Sequence, residues 1–157
     1  MTIHYKRGEF RKTLRVGINI NITTMKYIKN VLAIVLVVFL TSCATTMKFP
    51  TSATTPAADI EVKRKADKNG NFEVSVTAKN LASAERVDPT KSLYVVWIVT
   101  ESEGTRSIGQ LTNKNAKTAV IETLTPFAFT EVFITAESQA DISYPSGVEI
   151  GRVIFKK

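Results

Sequence analysis

From residue 59 onward, apolar and polar positions alternate with a period of two. Phe72, Val74, Val76 and Ala78 fall on one side and Glu73, Ser75, Thr77 and Lys79 on the other, the signature of a half-buried antiparallel strand. Before it, residues 59–65 alternate at their start (Ile60, Val62) and are heavily charged, as on an edge strand. Asn69-Gly70 between the two runs predicts a two-residue hairpin of type I′, in which both central residues need positive φ. Leu93–Thr100 is apolar on both faces and belongs in the centre of a sheet. Glu103-Gly104 turns the chain into a run at 106–111, where Gly109 marks a bulge, and Asn113-Lys114-Asn115 turns it into 117–124. Phe129–Glu137 is a further β-rich run, and Tyr144-Pro145-Ser146-Gly147 leads into 148–155. No convincing helix interrupts these seven runs. Two antiparallel sheets packed face to face are the natural solution, an all-β, seven-stranded immunoglobulin-like sandwich over residues 59–157. Trp97, in the middle of the third run, stands where such sandwiches keep a core tryptophan.

The preceding segment has a different pattern. Lys26 and Lys29 lead into ten uninterrupted apolar residues, 31–40, followed by Thr41, Ser42 and Cys43. Ten helical residues span roughly 15 Å, half of a hydrocarbon core, which suits the apolar region of a secretory signal better than a membrane span. Leu40-Thr41-Ser42-Cys43 resembles the bacterial lipobox, an aliphatic residue and two small ones before a cysteine. The resemblance implies that residues 25–42 are a cleaved signal peptide. It also implies that the Cys43 thiol takes a diacylglycerol and that the new amino group is acylated. The alternative is an uncleaved anchor or core helix with Cys43 an ordinary thiol. Met25 opens a compact basic leader, so translation is expected to start there, with residues 1–24 an over-called extension; the alternative is a basic cytoplasmic tail. N-terminal mapping of a Cys43→Ala precursor distinguishes the two.

Residues 43–58 are rich in Thr, Ala and Pro and carry a single charge, so a flexible tether is expected between lipid and domain. Ala44, rather than Asp, follows the cysteine. By resemblance to Gram-negative sorting signals this favours the outer membrane, with the domain facing the periplasm.

Charge sharpens the division. The 157 residues carry a formal +7, but residues 1–42 hold seven basic groups and one acid, while the remaining 115 hold 14 and 13. The globular part is therefore nearly neutral and offers no clustered basic face for nucleic acid. It keeps 47 apolar residues of 115, enough for one core and too few for two.

Tyr94-Val95-Val96-Trp97, Gly104, Ser107-Ile108-Gly109-Gln110-Leu111, Phe133-Ile134-Thr135-Ala136-Glu137 and Pro145-Ser146-Gly147 form a series. It resembles the extracytoplasmic C-terminal domain of anti-sigma-K factors and small bacterial lipoproteins that share that domain. The resemblance covers about residues 59–155 and implies an immunoglobulin-like sandwich outside the cytoplasm. It brings no catalytic residues. The sigma-binding domain and membrane helix of those factors have no counterpart here.

Candidate chemistry is sparse. The single histidine, His4, precedes the cleavage point, and the single cysteine is spent on lipid, which excludes imidazole-based triads and thiolate or histidine metal sites from the mature chain. Asp59/Glu61 and Glu101/Glu103 are the nearest acid pairs; each would share a strand face, as solvated carboxylates or as part of a glycosidase or Ca²⁺ site. Ser92 and Lys91, adjacent on a strand, point to opposite faces and make no dyad. Tyr94, Trp97 and Phe133 are core or groove aromatics. No catalytic residue, metal or cofactor is expected. The expected partners are the bilayer, through Cys43, and an envelope protein. The expected role is a non-enzymatic interaction or structural module, with a sensory accessory of envelope signalling or a small apolar ligand carrier as alternatives.

Overall fold

The computed structural model describes residues 44–156. The expected over-called extension (1–24), the expected signal peptide (25–42) with Leu40, Thr41 and Ser42, and the expected lipidation position Cys43 lie outside the described residues. Among those residues no helix is long and apolar enough to cross a membrane.

Nine strands and one short helix follow in order: β1 (Ala44–Lys48), β2 (Asp59–Ala66), β3 (Phe72–Lys79), α1 (Ala84–Val87), β4 (Leu93–Thr100), β5 (Gly104–Gln110), β6 (Thr112–Asn115), β7 (Thr118–Thr125), β8 (Phe129–Glu137) and β9 (Val148–Ile154). They form two antiparallel sheets, one ordered β1-β2-β3-β7-β6 and the other β5-β4-β8-β9. All seven expected runs are strands. The count rises to nine among the described residues because two polar segments also pair.

The first of these corrects the tether. Ala44–Lys48 pairs antiparallel with β2, from Ala44 opposite Lys65 to Lys48 opposite Glu61. The Phe49 N–H then extends the ladder to the Ile60 carbonyl at 2.9 Å, and its ring is buried in the core. Rather than strand propensity, that aromatic anchor, with the half-buried Met47 packed on the same core, fastens the segment. β2 is consequently an interior strand and not the expected edge. The second added strand, β6, is fully exposed and pairs only with the start of β7. It continues β5 across Leu111, whose N–H donates to the Tyr94 carbonyl, so one stretch of chain passes from the second sheet into the first. The passage follows a register shift opposite Gly109, where the bulge was expected.

The β2–β3 hairpin is not of type I′. Gly70 has φ +84°, but Asn69 does not reach positive φ. Asp67 organises the turn instead: its carboxylate accepts from the Asn69 and Asn71 N–H groups, both at 2.8 Å, and from the Asn71 amide. An acid able to satisfy two backbone donors makes a longer loop preferable to the tight one. These bonds, that from the Asn71 side chain first, hold the Asp67 carboxyl below its ordinary value.

Strand alternation directs Ile60, Val62, Val74, Val76 and Ala78 of the first sheet, and Tyr94, Val96, Ile98, Val132, Ile134 and Ala136 of the second, into one buried cluster. Near Ala44 this cluster is closed by Arg64. Its guanidinium lies 4.3 Å from the centre of the Phe155 ring and donates to the Phe129 carbonyl at 3.0 Å, a cation–π closure that keeps the charge at the rim.

A buried carboxylate that fastens a surface loop

β4 and β8 are apolar on both faces, and their outward faces require cover as well. Register puts Leu93 opposite Glu137, Val95 opposite Thr135, and Trp97 opposite Phe133. These residues alternate with the inward Tyr94, Val96 and Ile98. Trp97 therefore lies on the outer face of the second sheet, not between the sheets as expected. The reason is parity: Val96 and Ile98 take the inward positions on either side of it. Trp97, Val95 and Phe133 form a second buried cluster with Ile142 packed against it. The indole and the Phe133 ring stack at 6.2 Å and 14°. The Arg152 guanidinium covers Phe133 at 4.1 Å and is held by Glu131 and Glu149.

Ile142 belongs to the loop 138–147, and the loop is fastened through Glu137. The Trp97 Nε1–H donates to Thr135 Oγ1 at 2.8 Å, and the Thr135 hydroxyl donates to Glu137 Oε1 at 2.7 Å. That oxygen also accepts from the Ser146 and Gly147 N–H groups, at 2.9 and 3.0 Å, while Oε2 accepts from the Ser146 hydroxyl at 2.8 Å. The Lys91 ammonium stands 3.7 Å away. Glu137 is 1% exposed. Burial pushes its pKa up, but the Gly147, Ser146 and Thr135 donors outweigh this and hold the carboxyl below its ordinary value of 4.5. Gly147 is required by this approach, because a Cβ there would stand 1.7 Å from the Ala136 carbonyl oxygen.

The fastened loop presents Tyr144, 73% exposed. It also borders an open groove of about 650 Å³ lined by Arg106, Ile108, Thr123, Leu124 and Phe127 and, from the loop, Ile142. The groove is bordered by β5 and the end of β7. Arg106 stacks over Phe127 at 4.8 Å and is paired with Glu103.

The aromatics singled out from sequence do not share one site. Trp97 and Phe133 stack on the outer face. Tyr94 points into the inner core, and its hydroxyl donates to the Ala82 carbonyl at 2.8 Å. All three are buried. Of the acid pairs, Asp59 meets Lys48, Glu61 meets Lys63 and Glu103 meets Arg106. Ser92 donates to the Ser138 carbonyl while Lys91 turns to Glu137, so the two do not meet. No group of three or more His, Cys, Asp or Glu able to hold a metal occurs among the described residues. The role of Glu137 was missed because an outward Glu on an alternating strand reads as solvated. The available signal was its placement beside Trp97, Val95 and Phe133, outward residues that need a lid.

Comparison of the chain with family models, curated proteins and solved structures finds no match.

Proposed function

We propose that this protein is a lipid-anchored, extracytoplasmic β-sandwich of immunoglobulin-like type acting as a non-enzymatic interaction module of the cell envelope, on the periplasmic side of the outer membrane. The single buried cluster shared by both sheets supports the sandwich, and the passage of the chain between sheets at Leu111 supports the immunoglobulin-like type. The anchor rests on the leader and on Leu40-Thr41-Ser42-Cys43. The observation that carries the interaction role is the loop 138–147. A buried carboxylate fastens it by several hydrogen bonds, yet its one aromatic, Tyr144, is 73% exposed. A rigid loop with an exposed tyrosine suits an interface anchor, since little side-chain entropy is lost on binding. Glu137 itself is a poor general base: its lone pairs are occupied and its proton affinity is depressed.

The test uses the full chain in its native membrane. Mass spectrometry of the N-terminal peptide reads acylation of Cys43, and a photo-crosslinking residue at position 144 reads the partner. The expected result is an acylated Cys43 and a crosslinked envelope protein obtained from 144 but not from exposed Lys79. An aqueous protein with an intact leader ends the anchored reading, and equal capture from both positions ends the loop's role.

The groove favours one second reading, a carrier of a small apolar ligand. Native mass spectrometry of protein released in mild detergent should then find a stoichiometric lipid-like molecule, and Leu124→Glu should expel it.

A further inference from the structure

We propose that the domain lies on its bilayer in a fixed orientation, with the strand ends nearest Ala44 against anionic headgroups and the β1–β9 flank lowest. This rests on acylation of Cys43. β1 starts at the residue after that cysteine, so no tether separates lipid from fold. Lys65 is the cross-strand partner of Ala44. One strand spacing puts its Cα about 5 Å from that of Ala44, the residue next in sequence to the lipidation position. That is within the Debye length at physiological salt, so its charge is felt at the membrane surface.

The neighbourhood fits a headgroup layer. Lys68 tops the β2–β3 hairpin at the same end, and both lysines are exposed. The Arg64 contacts to Phe129 and Phe155 bring the end of β9 to this rim. There Ile154 is 56% exposed and Lys156 follows it. Lysines around an unburied aliphatic side chain are the composition of an interfacial contact. Of the acids of this flank, Asp67 is engaged within its hairpin and Glu131 with Arg152; Glu73, in register with Lys65, leaves the lysines of the flank in excess. Glu101 and Glu103 lie at the same end but on the opposite flank, in the β4–β5 turn, which sets the tilt toward the lysines.

The experiment reconstitutes full-length, natively processed protein in vesicles of phosphatidylcholine with or without phosphatidylglycerol, carrying a fluorophore on Ile154→Cys or, as control, Lys79→Cys. Lipid-borne quencher should reduce emission at 154 at least threefold more than at 79. Phosphatidylglycerol should enlarge the difference, and Lys65→Glu/Lys68→Glu/Lys156→Glu should abolish it with the protein still vesicle-bound. Equal quenching at both positions in protein of acylated mass overturns the orientation and leaves the anchor intact. Unmodified Cys43 with protein in the aqueous fraction overturns both.

Discussion

The inner and outer faces of β4 and β8 both bury apolar side chains, under different covers. On the inner face Val96, Ile98, Val132 and Ile134 meet another sheet. The apolar surface removed from water is the stabilising term there, at about 25 cal/mol per Å², and the match between alternating strands suffices to specify it. On the outer face Trp97 and Phe133 meet a loop. A loop has no ladder to hold it, so the cover is fixed by hydrogen bonds converging on one carboxylate. Packing of the first kind tolerates substitution by residues of similar volume. A cover fixed by a buried charge fails when any partner is removed, because the charge is then left incompletely solvated.

The comparison breaks most visibly at the tryptophan. Trp97→Ala removes the stacked ring and leaves the Thr135 hydroxyl without its indole donor. The expected loss is about 3–5 kcal/mol in chemical denaturation, together with release of the loop seen as faster hydrogen exchange in 138–147. Ile134→Val on the inner face should cost only about 1 kcal/mol and leave that exchange unchanged. Equal exchange in the two variants would mean that loop and ring are not coupled.

Removing the charge while keeping the shape sharpens the point. Glu137→Gln retains the volume and a carbonyl oxygen for the Thr135, Ser146 and Gly147 donors, but loses the charge and sets an NH2 group against the Lys91 ammonium and the Ser146 hydroxyl, where Oε2 stood. A loss of about 1–3 kcal/mol is expected, with the inner core intact by the near-native melting cooperativity that remains. A gain in stability would show that desolvation of the carboxylate outweighs its bonds.

Acid gives a graded form of the same test. The folded Glu137 pKa is depressed, so its contribution is complete above the ordinary value of 4.5 and is lost as pH falls through the lower folded value. Stability and loop protection should therefore decline below pH 4.5, and the emission of the single tryptophan should shift with them. Asp67 and Asp88 are shifted in the same direction by local hydrogen bonds, at Asp88 chiefly from Thr90. The difference between wild type and Glu137→Gln isolates the latch; parallel acid limbs would assign the effect to those turns instead.

What was legible in the chain follows the range of the interactions. Phe72, Val74, Val76 and Ala78 announce their strand because period-two burial is a local pattern, and the doubly apolar β4 announces a central position for the same reason. β1 and β6 do not. Thr45, Thr46, Asn113 and Asn115 carry no apolar stripe, and these segments become strands because β2 and β7 offer an unpaired edge and, for β1, because the Phe49 ring that follows is anchored in the core. The turn at Asn69-Gly70 was misread because Asp67, two residues earlier, competes for the backbone donors. The site was half visible. Thr135, Glu137, Ser146 and Gly147 stand out as a pattern, but only the return of the loop over Trp97 converts an outward glutamate into a buried one.

The smallest expected effect on stability separates holding the loop from using it. Tyr144 is 73% exposed and has no ring partner among the described residues. Tyr144→Ser should therefore change unfolding free energy by no more than about 0.5 kcal/mol and leave both hydrogen exchange in 138–147 and tryptophan emission unaltered. If the loop is an interface, the same substitution should strongly reduce chemical crosslinking to the envelope partner in intact cells. Glu137→Gln, which loosens the loop but keeps the tyrosine, should reduce it partially, since an anchor that must be ordered on binding loses affinity in proportion to that ordering. A Tyr144→Ser variant that crosslinks like wild type would leave the carboxylate latch as a device for closing the outer face alone and end the loop's proposed role in binding.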